Sequence, residues 1–174
     1  MQPYHNLVLT GFMGTGKTTV GRELALKLGM EFVDTDELIE SRHGSIATIF
    51  EEQGEAAFRE MERAIAVELG QRRGLVIATG GRMIIDPVGF TELSRHGRVF
   101  CLVATPDEIH RRVTDDPLRP DRPLLKVDDP RERIIELMAE RQDDYGRFPQ
   151  LITDNRDPGA IADEVAELWR GDVN

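Results

Sequence analysis

The chain has 174 residues, 40% of them hydrophobic and 31% charged, and 22 Lys plus Arg against 32 Asp plus Glu give a formal net charge of −10. That length builds one domain with a real core, and the acidic balance speaks against a general nucleic-acid binder, which needs a basic face. No apolar run approaches the ~18 residues of a membrane span, the opening MQPYHNLVLTGF lacks the basic-then-apolar order of a signal peptide, and the one cysteine, Cys101, reads as a small core residue in a reducing cytoplasm.

Short apolar runs alternate with longer helical patterns. NLVLT (6–10) reads as a buried strand, and the segment 17–28 carries Val20, Leu24, Ala25 and Leu28 on one helical face. EFVDT (31–35) is the second strand, followed by a helix over 55–69 with Phe58, Met61, Ile65 and Leu69. LVIAT (75–79) and VFCLV (99–103) are the third and fourth strands. The stretch DDPLRPDRPLLKV (115–127), rich in Pro and charge, predicts a mobile surface loop and a candidate lid. A helix over 131–145 carries Ile134, Ile135, Leu137, Met138 and Tyr145; a weak strand QLIT (150–153) and a helix over 157–169 close the chain. Near-continuous apolar strands alternating with helices predict an α/β fold, a parallel sheet covered on both faces. With no repeat and no linker, residues 1–174 read as one domain, and with no apolar face left over, as a monomer.

Directly after the first strand comes GFMGTGKT (11–18), which fits G-x-x-x-x-G-K-[ST] in its strand–loop–helix context. Glycines let successive N–H groups point at one anion, and the start of the following helix adds its dipole. The Lys17 ammonium can reach the β- and γ-phosphates of ATP, and the Thr18 hydroxyl can ligate Mg²⁺. The stretch Gly14, Thr15, Gly16, Lys17, Thr18 and Thr19 is therefore the expected ATP site; a merely Gly-rich turn is the weaker reading.

P-loop proteins commonly hold the metal through an Asp at the end of another strand. Here the third strand ends in Thr79-Gly80-Gly81, with no acid, and the second ends in Asp34-Thr35-Asp36. On an extended segment Asp34 and Asp36 point to one side, so one can serve the metal shell and the other can take an acceptor proton. The plainer reading makes Asp36 the N-cap of ELIESRH. Arg59, Arg122 and Arg141 are candidates for neutralising a transferring phosphoryl group or an anionic acceptor; each alone is an ordinary exposed charge.

Taken together these stretches closely resemble the shikimate kinase family. They are GFMGTGKTTVGRELA, FVDTDELIE, the I-x-x-I-F-x-x-x-G-E-x-x-F-R pattern ending at Arg59, Thr79-Gly80-Gly81, RPLL (122–125), the Glu-Arg before Tyr145, and Asn155-Arg156. The resemblance implies ATP-dependent phosphorylation of the 3-hydroxyl of shikimate, in aromatic amino-acid biosynthesis. It also implies a nucleoside-monophosphate-kinase-type fold, a five-stranded parallel sheet in the order 2-3-1-4-5. Carried over, Asp36, Arg59, Gly81 and Arg141 would bind shikimate, with Gly80 and Gly81 offering backbone N–H groups and Asp36 serving as base. Arg122 would be the lid arginine, Arg112 and Arg156 would line the adenine, and Asp34 would hold Mg²⁺ through water beside Thr18.

The chain departs from the family at Arg82, where a third glycine is usual. Arg82 can point outward or to a nearby acid, can reach the acceptor site, or can fill it and change the acceptor. Two further readings stay open at this level: a kinase of the same fold acting on another hydroxylated acid such as gluconate, and a nucleotide-binding module without catalysis.

Overall fold

A computed structural model describes residues 5–117 and 123–171. The strands β1 (Asn6–Thr10), β2 (Glu31–Asp34), β3 (Leu75–Ala78), β4 (Gly97–Val103) and β5 (Gln150–Ile152) form one parallel sheet in the order β2-β3-β1-β4-β5. β1 lies at its centre, with Leu7 opposite Val76 on one side and Arg98 on the other. All five residues of β1 are buried. Their side chains alternate between two cores: Val8, Ile77 and Cys101 belong to one face, and Leu7, Leu9, Val76, Phe100 and Leu102 to the other. The second core is closed by α1 (Lys17–Leu28) and α7 (Pro158–Gly171), through Leu24, Ile161, Val165 and Trp169. On the first face lie α2 (Thr35–His43), α3 (Ile46–Gly70), α4 (Pro87–Ser94), α5 (Pro106–Thr114) and α6 (Pro130–Gly146). Among the described residues no helix is long and apolar enough to cross a membrane.

Three departures from the expected elements have local causes. β2 stops at Asp34, one residue early, because the Asp34 side chain accepts from the N–H groups of Asp36 and Glu37 and so caps α2. Asp34, not Asp36, is therefore the cap, and Asp36 sits in the first helical turn, not on a strand. α3 begins nine residues before the expected 55–69 segment, at Ile46, and turns at Gly54 (φ 85°, ψ 169°) into the part that period alone had marked. α4 and α5 are short helices that periodicity missed, since α5 buries only Ile109. Within the expected loop 115–127, Pro123–Leu125 form a 3-10 turn, and Leu124 and Leu125 pack against the core, so this end is anchored. Arg122 and its four preceding neighbours lie outside the described residues.

The order of the strands leaves a crevice at the carboxyl end of β1, beside the end of β3, where chain connections leave in opposite directions. In open α/β sheets that is where ligands bind.

Candidate active site

The loop between β1 and α1 is shaped for an anion. Gly14 (φ 75°) and Gly16 (φ 97°) are left-handed, a conformation that L side chains resist. Gly16 is the N-cap of α1 and brings no side-chain cap, so the first N–H groups of that helix are left to a ligand. Thr15 is turned inward, its hydroxyl donating to the Phe12 carbonyl at 2.8 Å. Lys17 Nζ donates to the carbonyls of Gly11 (2.8 Å) and Phe12 (2.9 Å), which folds the ammonium over the loop. The Thr18 hydroxyl donates to Asp34 Oδ2 at 2.6 Å, while Oδ1 of the same carboxylate accepts from the α2 N–H groups. One acid thus ties the P-loop helix to the start of α2.

A cleft of about 260 Å³ opens over this loop. Gly14, Gly16, Lys17, Thr18 and Thr19 line one wall; Asp34, Asp36, Thr79 and Gly81 line the other; Arg112 and Asp116 edge it. Asp34 and Asp36 therefore do share one cavity, as expected, but through a strand end and a helical turn.

The wall after β3 requires glycine for room. Neither Gly80 nor Gly81 has a positive φ. A Cβ at position 80 would lie 2.7 Å from Asp36 Oδ1 and 2.8 Å from Glu62 Oε1; at position 81 it would lie 3.2 Å from Arg141 Nη1. The Gly80 N–H donates to the buried Thr35 hydroxyl at 2.8 Å, and the buried Tyr145 hydroxyl donates to the Gly81 carbonyl. Arg82 follows without a left-handed backbone, so a side chain costs no strain there. It points to Glu55, with Nη1 3.7 Å from Oε1.

Two arginines flank the glycines. Arg141, on α6, is only 6% exposed and sits 5.3 Å over the Phe12 ring. It has no carboxylate partner among the described residues. Glu55 is within electrostatic reach but not in contact, and a buried cation with no carboxylate in contact is costly, so the position suits an anionic ligand. Arg59 donates to Glu62 Oε2 at 2.6 Å and, from Nη2, to Glu55 Oε1 at 2.9 Å. Arg112 is held by Glu108 (2.7 Å) and donates to the carbonyls of Gly14 (3.1 Å) and Thr153 (3.0 Å), joining the P-loop to the end of β5. Arg156 is tied to Glu164 at 2.6 Å and to the Ile152 carbonyl at 3.0 Å, and does not line the cleft.

Sequence reasoning missed Glu62, Tyr145, Thr35 and Glu55. Glu62 is 4% exposed, and burial pushes its carboxyl up to about 7 against the pull of Arg59. Burial likewise raises the Tyr145 phenol to about 12, so it remains a donor to Gly81. The helical spacing of Glu62 from Arg59 and of Tyr145 from Arg141 was the available signal.

The model of the shikimate kinase family matches residues 13–169. The chain belongs to the shikimate kinase family. A shikimate kinase of Caldanaerobacter subterraneus subsp. tengcongensis is 44% identical over 163 residues, which is 93% of this chain and 92% of that protein. A solved structure, shikimate kinase from Acinetobacter baumannii in complex with shikimate, aligns with a TM-score of 0.90 at 34% identity, over 99% of this chain and 96% of that one. A gluconokinase from Sinorhizobium meliloti 1021 aligns with a TM-score of 0.62 at 15% identity, over 98% of this chain and 95% of that one. That likeness is one of fold alone, whereas the shikimate kinase family shares sequence, sheet order and length with this chain.

Proposed function

We infer that this chain transfers the γ-phosphate of ATP to the 3-hydroxyl of shikimate, yielding ADP and shikimate 3-phosphate for aromatic amino-acid synthesis. The observation that carries the acceptor reading is Arg141, a buried cation without a carboxylate partner among the described residues, against the glycine wall of a cleft whose opposite wall is a P-loop. A small anionic acceptor satisfies Arg141, and the left-handed glycines with an uncapped helix start suit the nucleotide phosphates.

The roles follow from position. Gly14, Thr15, Gly16, Lys17, Thr18 and Thr19 bind the phosphates, and Lys17 swings from its loop carbonyls to the β- and γ-oxygens. Arg112, beside Gly14, edges the nucleotide; Arg156 assists toward the adenine if its pair with Glu164 opens. Arg59 and Arg141 hold the acceptor carboxylate, and Gly80 and Gly81 let the acceptor approach backbone. Asp36 takes the hydroxyl proton as the oxygen attacks the γ-phosphorus and the bond to the β-phosphate oxygen breaks. The paired Thr18 hydroxyl and Asp34 carboxylate fit a hard cation. No cluster of three metal-ligating His, Cys, Asp or Glu side chains exists among the described residues. Thr18 would thus hold Mg²⁺ directly and Asp34 through water, with phosphate oxygens completing the shell. Bound there, Mg²⁺ supplies charge neutralisation on the phosphates.

We propose the segment 115–127 as the lid that excludes water, with Arg122 closing over the phosphates. We also propose one catalytic domain over residues 1–174, acting as a cytoplasmic monomer. Lys17→Ala and Arg122→Ala should each cut turnover at least about 100-fold while melting near wild type; full activity from a normally melting variant contradicts its role. Phosphorus NMR of the product tests the transfer itself, which requires a phosphate monoester on the 3-oxygen.

A further inference from the structure

Arg59 and Arg82 converge on one carboxylate. Glu55 Oε1 accepts from Arg59 Nη2 at 2.9 Å and Nε at 3.3 Å, and Arg82 Nη1 stands 3.7 Å from the same oxygen. The other edge of Arg59 is taken by Glu62 Oε2 at 2.6 Å. Both edges of the guanidinium fork are thus occupied by carboxylates from its own helix. An anionic acceptor that is to be gripped by Arg59 must displace one of them. The Glu62 side chain is 5% exposed and the Glu55 side chain 47%, so Glu55 is the group that yields.

Displacement creates a charge problem. A released Glu55 carboxylate stays beside the incoming carboxylate, and like charges at that distance repel. Arg82 resolves it. Its side chain is half-exposed, its backbone is unstrained, and its Nη1 already stands 3.7 Å from the oxygen that Arg59 holds. We propose that Glu55 is an internal stand-in for the acceptor carboxylate and that Arg82 is the positioning residue that receives Glu55 when the acceptor enters. This rests on the reading of Arg59 as an acceptor ligand. The exchange conserves ion pairs: Arg59 passes from Glu55 to the acceptor, and Glu55 passes from Arg59 to Arg82. Arg82 thus sets acceptor affinity in this chain without touching the acceptor.

A double-mutant cycle on steady-state kinetics tests it. Arg82→Gly should raise the KM for shikimate about threefold to fivefold, the scale of one exposed pair, with kcat and the KM for ATP held within about twofold. Arg82→Lys should restore most of the loss. Glu55→Gln should lower the KM for shikimate, and in that background Arg82→Gly should have no further effect. The Arg82→Gly effect should also shrink in about 1 M salt, where exposed charges are screened. An Arg82→Gly KM equal to wild type overturns the proposal. So does an Arg82→Gly penalty that persists undiminished in Glu55→Gln, which would mean that Arg82 contacts the acceptor itself. Absence of shikimate-dependent ADP release by the wild type would overturn the acceptor reading and this exchange with it, and is distinguishable because it appears before any variant is made.

Discussion

Glu62 shows how a site can hold a group that spacing alone does not announce. Its carboxyl is buried behind Gly80, close to Asp36, and Oε1 has no hydrogen-bond partner among the described residues. The native state keeps a proton on it up to about 7, whereas the unfolded chain releases that proton near 4.5. Between those values the native state binds more protons, so this group's contribution to stability is lost as pH rises through the window. Glu62→Gln should therefore gain stability relative to wild type between pH 5 and 8, by about 1–3 kcal/mol, or several degrees of Tm. Parallel melting curves across that range would contradict it. Gly80→Ala is the sharper steric test. The added methyl meets two carboxylate oxygens inside 3.0 Å, and overpacking of that kind costs about 1–3 kcal/mol; turnover should fall at least about tenfold because Asp36 must move. The phosphate-loop residues were legible because that chemistry is written in adjacent positions. The acceptor wall was legible only in part. Gly80 and Gly81 were expected as sites of close approach, but the neighbours that demand glycine, Asp36, Glu62 and Arg141, come from α2, α3 and α6 and meet only in the fold.

At the level of elements, α6 does two tasks from consecutive turns. Arg141 stands against Gly81, its Nη1 3.2 Å from where a Cβ there would lie, and Tyr145 fixes the Gly81 carbonyl. Tyr145→Phe leaves that carbonyl without its donor, which should cost about 1–3 kcal/mol of stability and raise the KM for shikimate more than the KM for ATP. Equal changes in both would assign Tyr145 to general stability alone. α4 supports the same wall from behind. A Cβ on its Gly89 would lie 1.9 Å from the Met83 carbonyl, in the turn that follows the glycines. Gly89→Ala should therefore lower Tm by several degrees and weaken shikimate binding together; a Tm loss without a change in shikimate KM would separate α4 from the site. Neither α4 nor α5 was read from the sequence, because each has only nine residues or fewer, α4 with a weak apolar period and α5 with few apolar residues. A different signal was present. Asp86-Pro87, Thr105-Pro106 and Asp129-Pro130 each place a capping side chain directly before a proline at the first helical turn, and each begins a helix. The shift of the cap from Asp36 to Asp34 is the reverse case. A short polar side chain can end a strand as readily as start a helix, and Asp34 does both, with Thr18 as its second partner.

For the molecule as a whole, the alternation of apolar runs with helical patterns was enough to anticipate the parallel sheet, while its order was what the resemblance to shikimate kinases implied. The crevice location follows from that order, since β1 lies between β3 and β4 and both its neighbours end beside the phosphate loop. What no pattern could supply was the direction of Arg82, which depends on Glu55 lying across the turn on α3. Under the exchange proposed above, that pairing makes Arg82 a matter of acceptor affinity, not acceptor identity. The central claim, that the cleft transfers phosphate to shikimate and not to another hydroxylated acid or to water, is tested most directly by ADP release with ATP and Mg²⁺ in the presence of shikimate, of gluconate, or of neither. The account predicts saturable release with shikimate and at least about 100-fold less in the other two reactions; release that is independent of shikimate, or equal with gluconate, would contradict it.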